Sequence, residues 1–168
     1  GKRALVCMKH VGMNVAADCF VNSAVTGVKG GLMVVAADDP SMHSSQNEQD
    51  SRHYAVAAKL PMLEPADSAE ALAFVKAAYE LSEKFDTPVL LKMCTRIAHS
   101  LSIVETSART VQPHKPYEKN GAKYIMMPGN AKRRHPLVEK RTADLIAWAE
   151  TAPVNRLEEG TDHQIGII

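Results

Sequence analysis

The alternation of short apolar runs with amphipathic segments is the feature that most constrains how this chain can fold. The apolar runs cover residues 4–8, 32–36 and 89–94. Such continuous runs are typical of strands buried in a parallel sheet, and helix-like segments separate them. The chain is therefore predicted to be an α/β protein, in which a parallel sheet is flanked by helices and joined by right-handed crossovers.

The spacing of apolar residues also indicates four helices. Gly27 ends the first helix, and the third opens with Asp67 three positions before Glu70, which is a capping pattern. The predicted helices cover residues 13–26, 51–59, 67–85 and 130–151. Residues 101–128 mix prolines with scattered charges, so they are predicted to form an extended segment on the surface.

We predict three parts along the chain. Residues 1–100 hold the parallel sheet as an incomplete domain, residues 101–163 are an extended linker followed by a helix, and residues 164–168 begin the next domain. The chain starts without methionine in an apolar strand and stops on an apolar run. Both ends are therefore expected to be internal to a longer protein.

Composition argues against several classes of function. The 20 Lys and Arg residues nearly balance the 19 Asp and Glu residues, so no overall charge favours nucleic acid or an anionic membrane. No apolar run approaches the roughly 20 residues of a membrane span. The three cysteines are far apart and form no C-x-x-C pair, which argues against a disulfide framework, a zinc site or iron-sulfur ligation within the chain. The expected location is a reducing cytoplasm.

Polar side chains concentrate in the loop that follows the second predicted strand. This loop, residues 38–52, includes five consecutive hydrogen-bonding residues, from His43 to Asn47. His10 follows the first strand, and because parallel strands share one carboxyl edge, we expect it to lie beside this loop. A histidine there could carry protons or polarise a carbonyl group. The alternative is ordinary surface, with a turn at Asp39-Pro40 and an exposed histidine.

Two other patterns bear on ligand binding. Residues 11–14 could present backbone amides to an anion at a helix start, but both the dinucleotide and the Walker glycine patterns are missing. The aspartates at 38–39, with His10 and His43, could ligate the metal of a hydrolase. Adjacent aspartates rarely point the same way, and no H-x-x-x-H spacing occurs, so we predict no metal site. A non-catalytic interaction module is the third class of function that stays open.

Six segments of the chain resemble one family. They are residues 8–18, 26–31, 38–52, 61–65, 85–91 and 126–132. In these segments the sequence is similar to the alpha subunits of indolepyruvate:ferredoxin oxidoreductases, and the similarity covers nearly the whole chain. The resemblance implies a thiamine diphosphate enzyme that oxidatively decarboxylates aryl 2-oxoacids to acyl-CoA, with electrons passed through iron-sulfur clusters to ferredoxin. Another 2-oxoacid:ferredoxin oxidoreductase, or another thiamine diphosphate enzyme, is the alternative.

The resemblance also implies which parts lie outside the chain. Residues 1–100 correspond to the pyrimidine-side domain, truncated at its N-terminus, because the glutamate that activates the cofactor lies upstream of Gly1 in this family. A later domain holds the diphosphate and its Mg²⁺, and cysteines further on hold [4Fe-4S] clusters. A beta subunit and a homo- or hetero-oligomer are implied as well. The isolated chain is therefore expected to be inactive.

Finally, the resemblance implies roles for the strand-end loops, which face the cofactor in this family. Imidazole and amide groups can donate hydrogen bonds to the oxyanion that forms on the substrate. The predicted catalytic residues are His10, His43 and Gln46, and the predicted cofactor-binding residues are Gly12, Asn14, Ser44 and Asn47.

Overall fold

The centre of the chain is a sheet of parallel strands. The computed structural model describes residues 1–43, 45–161, 164 and 166. The strands are β1 (Ala4–Lys9), β2 (Leu32–Asp38), β3 (Met62–Leu63) and β4 (Val89–Cys94), in the spatial order β1-β2-β4-β3. Every pairing is parallel, which confirms the predicted α/β fold and its three apolar strands. The prolines at positions 61 and 65 predict only a short extended piece there, and β3 was not predicted as a strand of the sheet, because two residues show no period.

Helices connect the strands and flank the sheet. They are α1 (His10–Val15), α2 (Ala17–Thr26), α3 (Arg52–Ala58), α4 (Ser68–Phe85), α5 (Thr95–His99), α6 (Gly121–Tyr124) and α7 (Pro128–Ala149). The four predicted helices are present, but the first begins at His10 instead of residue 13 and is interrupted at Ala16. Residues 100–120 form neither helix nor strand, but α6 and the first residue of α7 fall inside the predicted extended segment of residues 101–128. Among all the residues that the structure describes, no helix is both long and apolar enough to cross a membrane.

The central strands place apolar side chains on both faces of the sheet. Val34 and Leu90 point to one face, while Met33 and Leu91 point to the other, as the two-residue period of a strand requires. Both faces of β2 and β4 are covered, which is usual for a parallel sheet. The prediction of burial is wrong for β1, because this strand lies at the edge of the sheet and leaves Leu5 and Val6 exposed. The first core contains Met13, Phe20, Ala24, Val34, Ala36, Ala55, Ala58, Leu60 and Leu90, and the second contains Met33, Leu63, Phe74, Ala78, Leu81, Val89 and Leu91.

Helix α4 covers the second face and has well-defined ends. Its capping residues act as predicted: Asp67 Oδ1 accepts from the backbone N–H of Glu70 at 2.8 Å, and Glu70 Oε2 accepts from the N–H of Ala66 at 2.8 Å. Both acceptors satisfy donors that would otherwise lack a partner near the start of the helix. At the other end, Asp86 takes a left-handed conformation with φ of 53°, and the helix stops.

Helix α7 packs against the sheet domain through a buried arginine. Arg141 is 7% exposed, and it donates to the carbonyl oxygens of Ala24 at 2.6 Å and Asp86 at 2.8 Å. These carbonyls lie at the C-terminal ends of α2 and α4, where helices leave acceptors unpaired. Burial lowers the pKa of Arg141, although a guanidinium stays charged in proteins. Arg141 therefore holds α7 against two helices at once.

A carboxylate on α4 ties the start of the chain to the sheet. Glu83 accepts from Arg3 Nε at 3.0 Å and from the backbone N–H of Gly31 at 3.0 Å, and it pairs with Lys115 Nζ at 3.1 Å. The bond from Arg3 contributes most to lowering the pKa of Glu83 from 4.5 to about 2, against the opposing effect of burial. The folded chain therefore favours the ionised carboxylate.

We expect Glu83→Gln to lower the free energy of unfolding at pH 7 and to lower it much less near pH 2. A carboxylate with a depressed folded pKa stabilises the fold above its unfolded pKa, and this effect disappears as pH falls through the folded pKa. The window therefore runs from about pH 4.5 down to about pH 2. Urea denaturation across this window is the measurement, with exposed Glu80→Gln as the control. A difference between wild type and Glu83→Gln that stays constant over the window would contradict the prediction.

Candidate functional site

Three strands end side by side, and we call this region the strand-end edge. It consists of the carboxyl ends of β1, β2 and β4 with the residues that follow them. The strand register pairs Lys9 with Ala37 and Asp38 with Cys94, so the three following segments leave the sheet together. The prediction that His10 lies beside the loop at residues 38–52 is confirmed, because the His10 ring contacts Asn47 at 3.2 Å.

Asp39 connects the three strand ends. Its Oδ2 lies 2.7 Å from Lys9 Nζ, and its Oδ1 accepts a hydrogen bond from the Thr95 hydroxyl. The hydrogen bond from Lys9, followed by that from Thr95, lowers the pKa of Asp39 below its usual value of 3.8. The carboxylate is therefore ionised at neutral pH and already engaged by side chains from both neighbouring strand ends.

Asp38 has a different partner, at the other end of its loop. It is 3% exposed, and its two oxygens accept from the Ser51 backbone N–H at 2.9 Å and the Ser51 hydroxyl at 2.5 Å. Ser51 is itself fully buried just before α3, so this contact closes the loop onto the sheet. The two adjacent aspartates thus diverge. Among the described residues, no group of three or more His, Cys, Asp or Glu side chains is arranged to hold a metal ion.

His10 lies at the centre of the strand-end edge and is inaccessible to solvent, with 0% exposure. It is the first residue of α1, since Lys9 is still extended and the helix begins directly after it. Its Nε2 lies 3.2 Å from Asn47 Oδ1 and 3.3 Å from the Ser45 hydroxyl. The surface alternative for this histidine is therefore wrong, because the strand leads straight into a packed helix.

The contacts of His10 favour one arrangement of its ring. Asn47 Oδ1 also accepts from Gln49 Nε2 at 3.3 Å, and because an amide oxygen only accepts, its contact with His10 is a hydrogen bond in the tautomer that carries a proton on Nε2. Nδ1 is buried without a hydrogen-bond partner in the described part of the chain. The ring thus donates toward the loop at residues 45–49 and holds that loop against α1.

The other predicted site residues lie in different surroundings. His43 and Gln46 are exposed, and neither side chain bonds to another described residue. Asn14 Oδ1 accepts from the Tyr54 hydroxyl at 2.8 Å. A Cβ at Gly12 would lie 3.2 Å from Met8 Cβ, so glycine allows α1 to pack closely on β1. Ser44, also predicted, lies outside the described residues.

A buried lysine at this edge was not predicted. Lys92 in β4 is 4% exposed, and its Nζ lies 2.6 Å from Glu64 Oε1. Arg52 bonds both oxygens of Glu64, each at 3.0 Å. Burial opposes ionisation of Glu64, but the bonds from Arg52 and Lys92 outweigh it and lower the pKa of this carboxyl. The signal in the sequence was a lysine inside an otherwise apolar strand.

A cavity of about 660 Å³ opens at the strand-end edge. The 3₁₀ turn at Pro40–Met42 forms one wall, and the end of β4 with α5 forms the other. It is lined by Pro40, Ser41, His43, Cys94, Thr95, Arg96, His99 and Ser100. Of these, His43 alone was predicted as a site residue. Arg96 and His99 were missed, although the shared edge that selects His10 also selects residues that follow β4.

These features define an α/β protein whose candidate ligand site lies at the carboxyl edge of a parallel sheet. The chain is a relative of the indolepyruvate oxidoreductase IorA subunits and matches one segment of them over its own full length, which confirms the resemblance. Subunits of this name are 42% identical in Methanothermobacter thermautotrophicus, 46% in Methanothermobacter marburgensis and 40% in Archaeoglobus fulgidus. The chain spans about 28% of the length of the first two and 27% of the third. No family model and no solved structure matches it.

Proposed function

We propose that this chain is part of the catalytic subunit of an oxidoreductase that oxidatively decarboxylates aryl 2-oxoacids, such as indolepyruvate, to acyl-CoA, with ferredoxin as electron acceptor. The observation that carries this proposal is the similarity of the whole chain to one segment of the IorA subunits, at identities of 42%, 46% and 40%. The hydrogen-bonding side chains at the strand-end edge supply the kind of groups that such chemistry needs.

Thiamine diphosphate with Mg²⁺ is the proposed cofactor, and the strand-end edge fits its pyrimidine end. Gln49 Oε1 is a buried acceptor without a donor among the described residues. His43 and Gln46 offer exposed groups from the same loop. A heterocycle that carries both donors and acceptors suits such a set. Other parts of the intact enzyme are proposed to hold the diphosphate, its Mg²⁺ and the [4Fe-4S] clusters.

The residues of this chain would act by orientation and charge stabilisation. When bound, the cofactor would supply a nucleophilic carbon for the 2-oxo group of the substrate. His43 and Gln46 would donate hydrogen bonds to the substrate oxygen on which negative charge develops. His10 acts behind them, because it holds Asn47 and Ser45, on both sides of Gln46, in place.

The organisation and partners of the protein belong to the same proposal. Residues 1–100 would form the pyrimidine-side domain, residues 101–163 a linker and helix, and residues 164–168 the start of the next domain. Residues 44, 162, 163, 165, 167 and 168 lie outside the described part. In the cytoplasm, the intact subunit would assemble with a beta subunit, alone or in a larger oligomer, and use CoA and ferredoxin.

The proposed function is tested with the full-length subunit and its partner subunit, purified without oxygen. Reduction of ferredoxin that depends on both indolepyruvate and CoA is the expected result. A complex that binds thiamine diphosphate and leaves every aryl 2-oxoacid unreacted would overturn the proposal.

The isolated chain of 168 residues is expected to bind thiamine diphosphate weakly and to show no turnover. The proposed diphosphate anchor and the activating glutamate both lie elsewhere in the intact enzyme, so this chain offers one wall of the site. Calorimetric titration with thiamine diphosphate and Mg²⁺ measures the binding. Low-micromolar affinity with one cofactor per chain would show that these residues contain an anchor of their own.

In the intact enzyme, His43→Ala and Gln46→Ala are each expected to lower kcat/KM by about ten- to a thousand-fold, the range for loss of one oxyanion donor. Both side chains are exposed, so the melting temperature should stay almost unchanged. His114→Ala and Gln112→Ala, on the extended segment, are matched exposed controls. Wild-type rates in both site variants, with cofactor bound, would show that this loop connects secondary-structure elements and has no catalytic role.

A further inference from the structure

A second cavity lies outside the strand-end edge, on the face of the sheet that α4 covers. It has a volume of about 550 Å³ and opens between α4 and residues 106–112 of the extended segment. Val75 and Tyr79 of α4 are half-buried and give it an apolar wall. Its volume is in the range of sites for small organic ligands. None of the residues discussed for the proposed chemistry lines this cavity, so it is available for a separate role.

The charged groups around the α4 cavity are mainly basic. Arg3, Lys76 and Arg109 line it, and among the described residues that do so Glu80 is the single acidic one. Arg109 forms no hydrogen bond or ion pair with another described residue. Lys76 Nζ donates to the Ser107 hydroxyl at 3.0 Å, which is a neutral partner. The charges of Lys76 and Arg109 are therefore available to an anion.

The extended segment is attached to α4 on both sides of the cavity. The bond between Lys76 and Ser107 holds it on one side. Beyond the cavity, Lys115 Nζ pairs with Glu83 of α4 at 3.1 Å. Glu83 also accepts from Arg3 Nε at 3.0 Å, so the start of the chain is joined to the same carboxylate. The basic groups of the cavity are thus brought together by three separate parts of the chain.

We propose that this cavity binds the nucleotide end of coenzyme A. The assignment rests on the proposed function, in which CoA accepts the acyl group. Lys76 and Arg109 bind the phosphate groups, since guanidinium and ammonium groups are common phosphate ligands. The adenine ring packs against Val75 and Tyr79, because a flat heterocycle stacks well on aromatic and aliphatic surface. The nucleotide end of CoA combines phosphates with a flat ring, which is the combination that the cavity presents.

The position of the cavity suits a ligand with a long arm. Leu72 lines one end of it, one turn after the start of α4, and α4 follows the carboxyl end of β3. Arg3 lines the other end and directly precedes β1, at the opposite edge of the parallel sheet. The pantetheine arm of CoA carries the reactive thiol far from the phosphates. From the cavity it would run past Leu72 towards the strand-end edge, where the proposed chemistry takes place.

Kinetics distinguish this role from a structural one. In the intact enzyme, Arg109→Gln and Lys76→Gln should each raise KM for CoA about tenfold, the loss expected for one charge-assisted hydrogen bond. The nucleotide end is remote from the reacting atoms, so kcat and KM for indolepyruvate should change less than about twofold. Both side chains are exposed, and the melting temperature should stay as in wild type. Arg156→Gln and Lys84→Gln, at exposed positions outside the cavity, are the matched controls.

Direct binding tests the site without any turnover. Adenosine 3′,5′-bisphosphate carries the ring and phosphate groups of CoA but no thiol, and adenosine carries the ring alone. Titrated into the intact enzyme, the bisphosphate should bind Arg109→Gln and Lys76→Gln about tenfold more weakly than wild type. The affinity of adenosine should be the same in all three proteins. Inorganic phosphate should bind far more weakly than the bisphosphate, because it lacks the ring.

Three results would overturn the assignment. They are unchanged bisphosphate affinity in both variants, inorganic phosphate that binds as tightly as the bisphosphate, and a selective rise of KM for indolepyruvate in place of CoA. Failure of the proposed function looks different. An enzyme that binds the bisphosphate through Arg109 and leaves every aryl 2-oxoacid unreacted would retain this nucleotide site and refute the reaction.

Discussion

Replacing Asp38 with alanine is expected to destabilise the chain by about 2 to 4 kcal/mol. Asp38 is buried, and its two oxygens satisfy the backbone N–H and the hydroxyl of Ser51, which is itself fully buried. The alanine would leave both donors without an acceptor, and each buried unpaired donor costs about 1 to 3 kcal/mol. Chemical denaturation at pH 7 is the measurement.

A nearby aspartate provides the control for this experiment. Asp50 is partly exposed, and its carboxylate accepts from the Arg52 backbone N–H at 3.0 Å and pairs with the Arg52 guanidinium at 3.3 Å, where water can replace both contacts, so Asp50→Ala should cost about 1 kcal/mol. A second variant, Ser51→Ala, removes the hydroxyl and keeps the backbone N–H bonded, so it should fall between the two. Equal losses in Asp38→Ala and Asp50→Ala would refute the view that Asp38 anchors the loop.

The sequence was sufficient for those parts of the fold that local patterns encode. The apolar runs at residues 32–36 and 89–94 are strands because their side chains are buried on both faces of the sheet. The start of α4 was predictable because Asp67 and Glu70 contact backbone groups within four residues of themselves. The strands are visible as continuous apolar runs, and the helix start is fixed by contacts within one short segment, so both can be recognised locally.

Contacts between distant residues could not be read from such patterns. Arg141 bonds the carbonyl of Ala24, 117 residues away, and Lys92 pairs with Glu64 from a neighbouring strand end. From the sequence patterns, Arg141 was recognisable only as part of a predicted helix and Lys92 only as part of an apolar strand. Their partners are defined only once the sheet has formed, since long-range packing decides which carbonyls and carboxylates meet them.

The candidate site was predictable at the level of loops but not of side chains. A parallel sheet brings strand ends together, so the neighbourhood of His10 and Asn47 followed from topology. The burial of His10 did not, because it depends on α1 starting at His10 instead of after a loop. Because the carboxyl ends of parallel strands share one edge, the residues that follow β4, including Arg96 and His99, could have been selected in the same way.

His10→Ala in the intact enzyme is expected to lower kcat/KM by about ten- to a thousand-fold. The same change should also lower stability, because His10 is a buried residue of α1 and not part of a loop. With 0% exposure and bonds to Asn47 and Ser45, His10 should also contribute about 1 to 3 kcal/mol to folding. Steady-state kinetics and thermal unfolding of the same samples measure both effects.

A conservative variant and a matched core variant separate positioning from general loss of stability. His10→Gln keeps an N–H donor for Asn47 and should recover part of the activity that His10→Ala loses. Phe74→Leu, on the opposite face of the sheet and 8% exposed, should destabilise the fold to a similar degree. Phe74 belongs to the second core and forms none of the strand-end contacts described above, so the kcat/KM of Phe74→Leu should stay near that of wild type below the melting temperature. Equal losses of activity in Phe74→Leu and His10→Ala would show that His10 affects folding alone. If His10→Gln restores no activity, the hydrogen bond to Asn47 does not position the loop for catalysis.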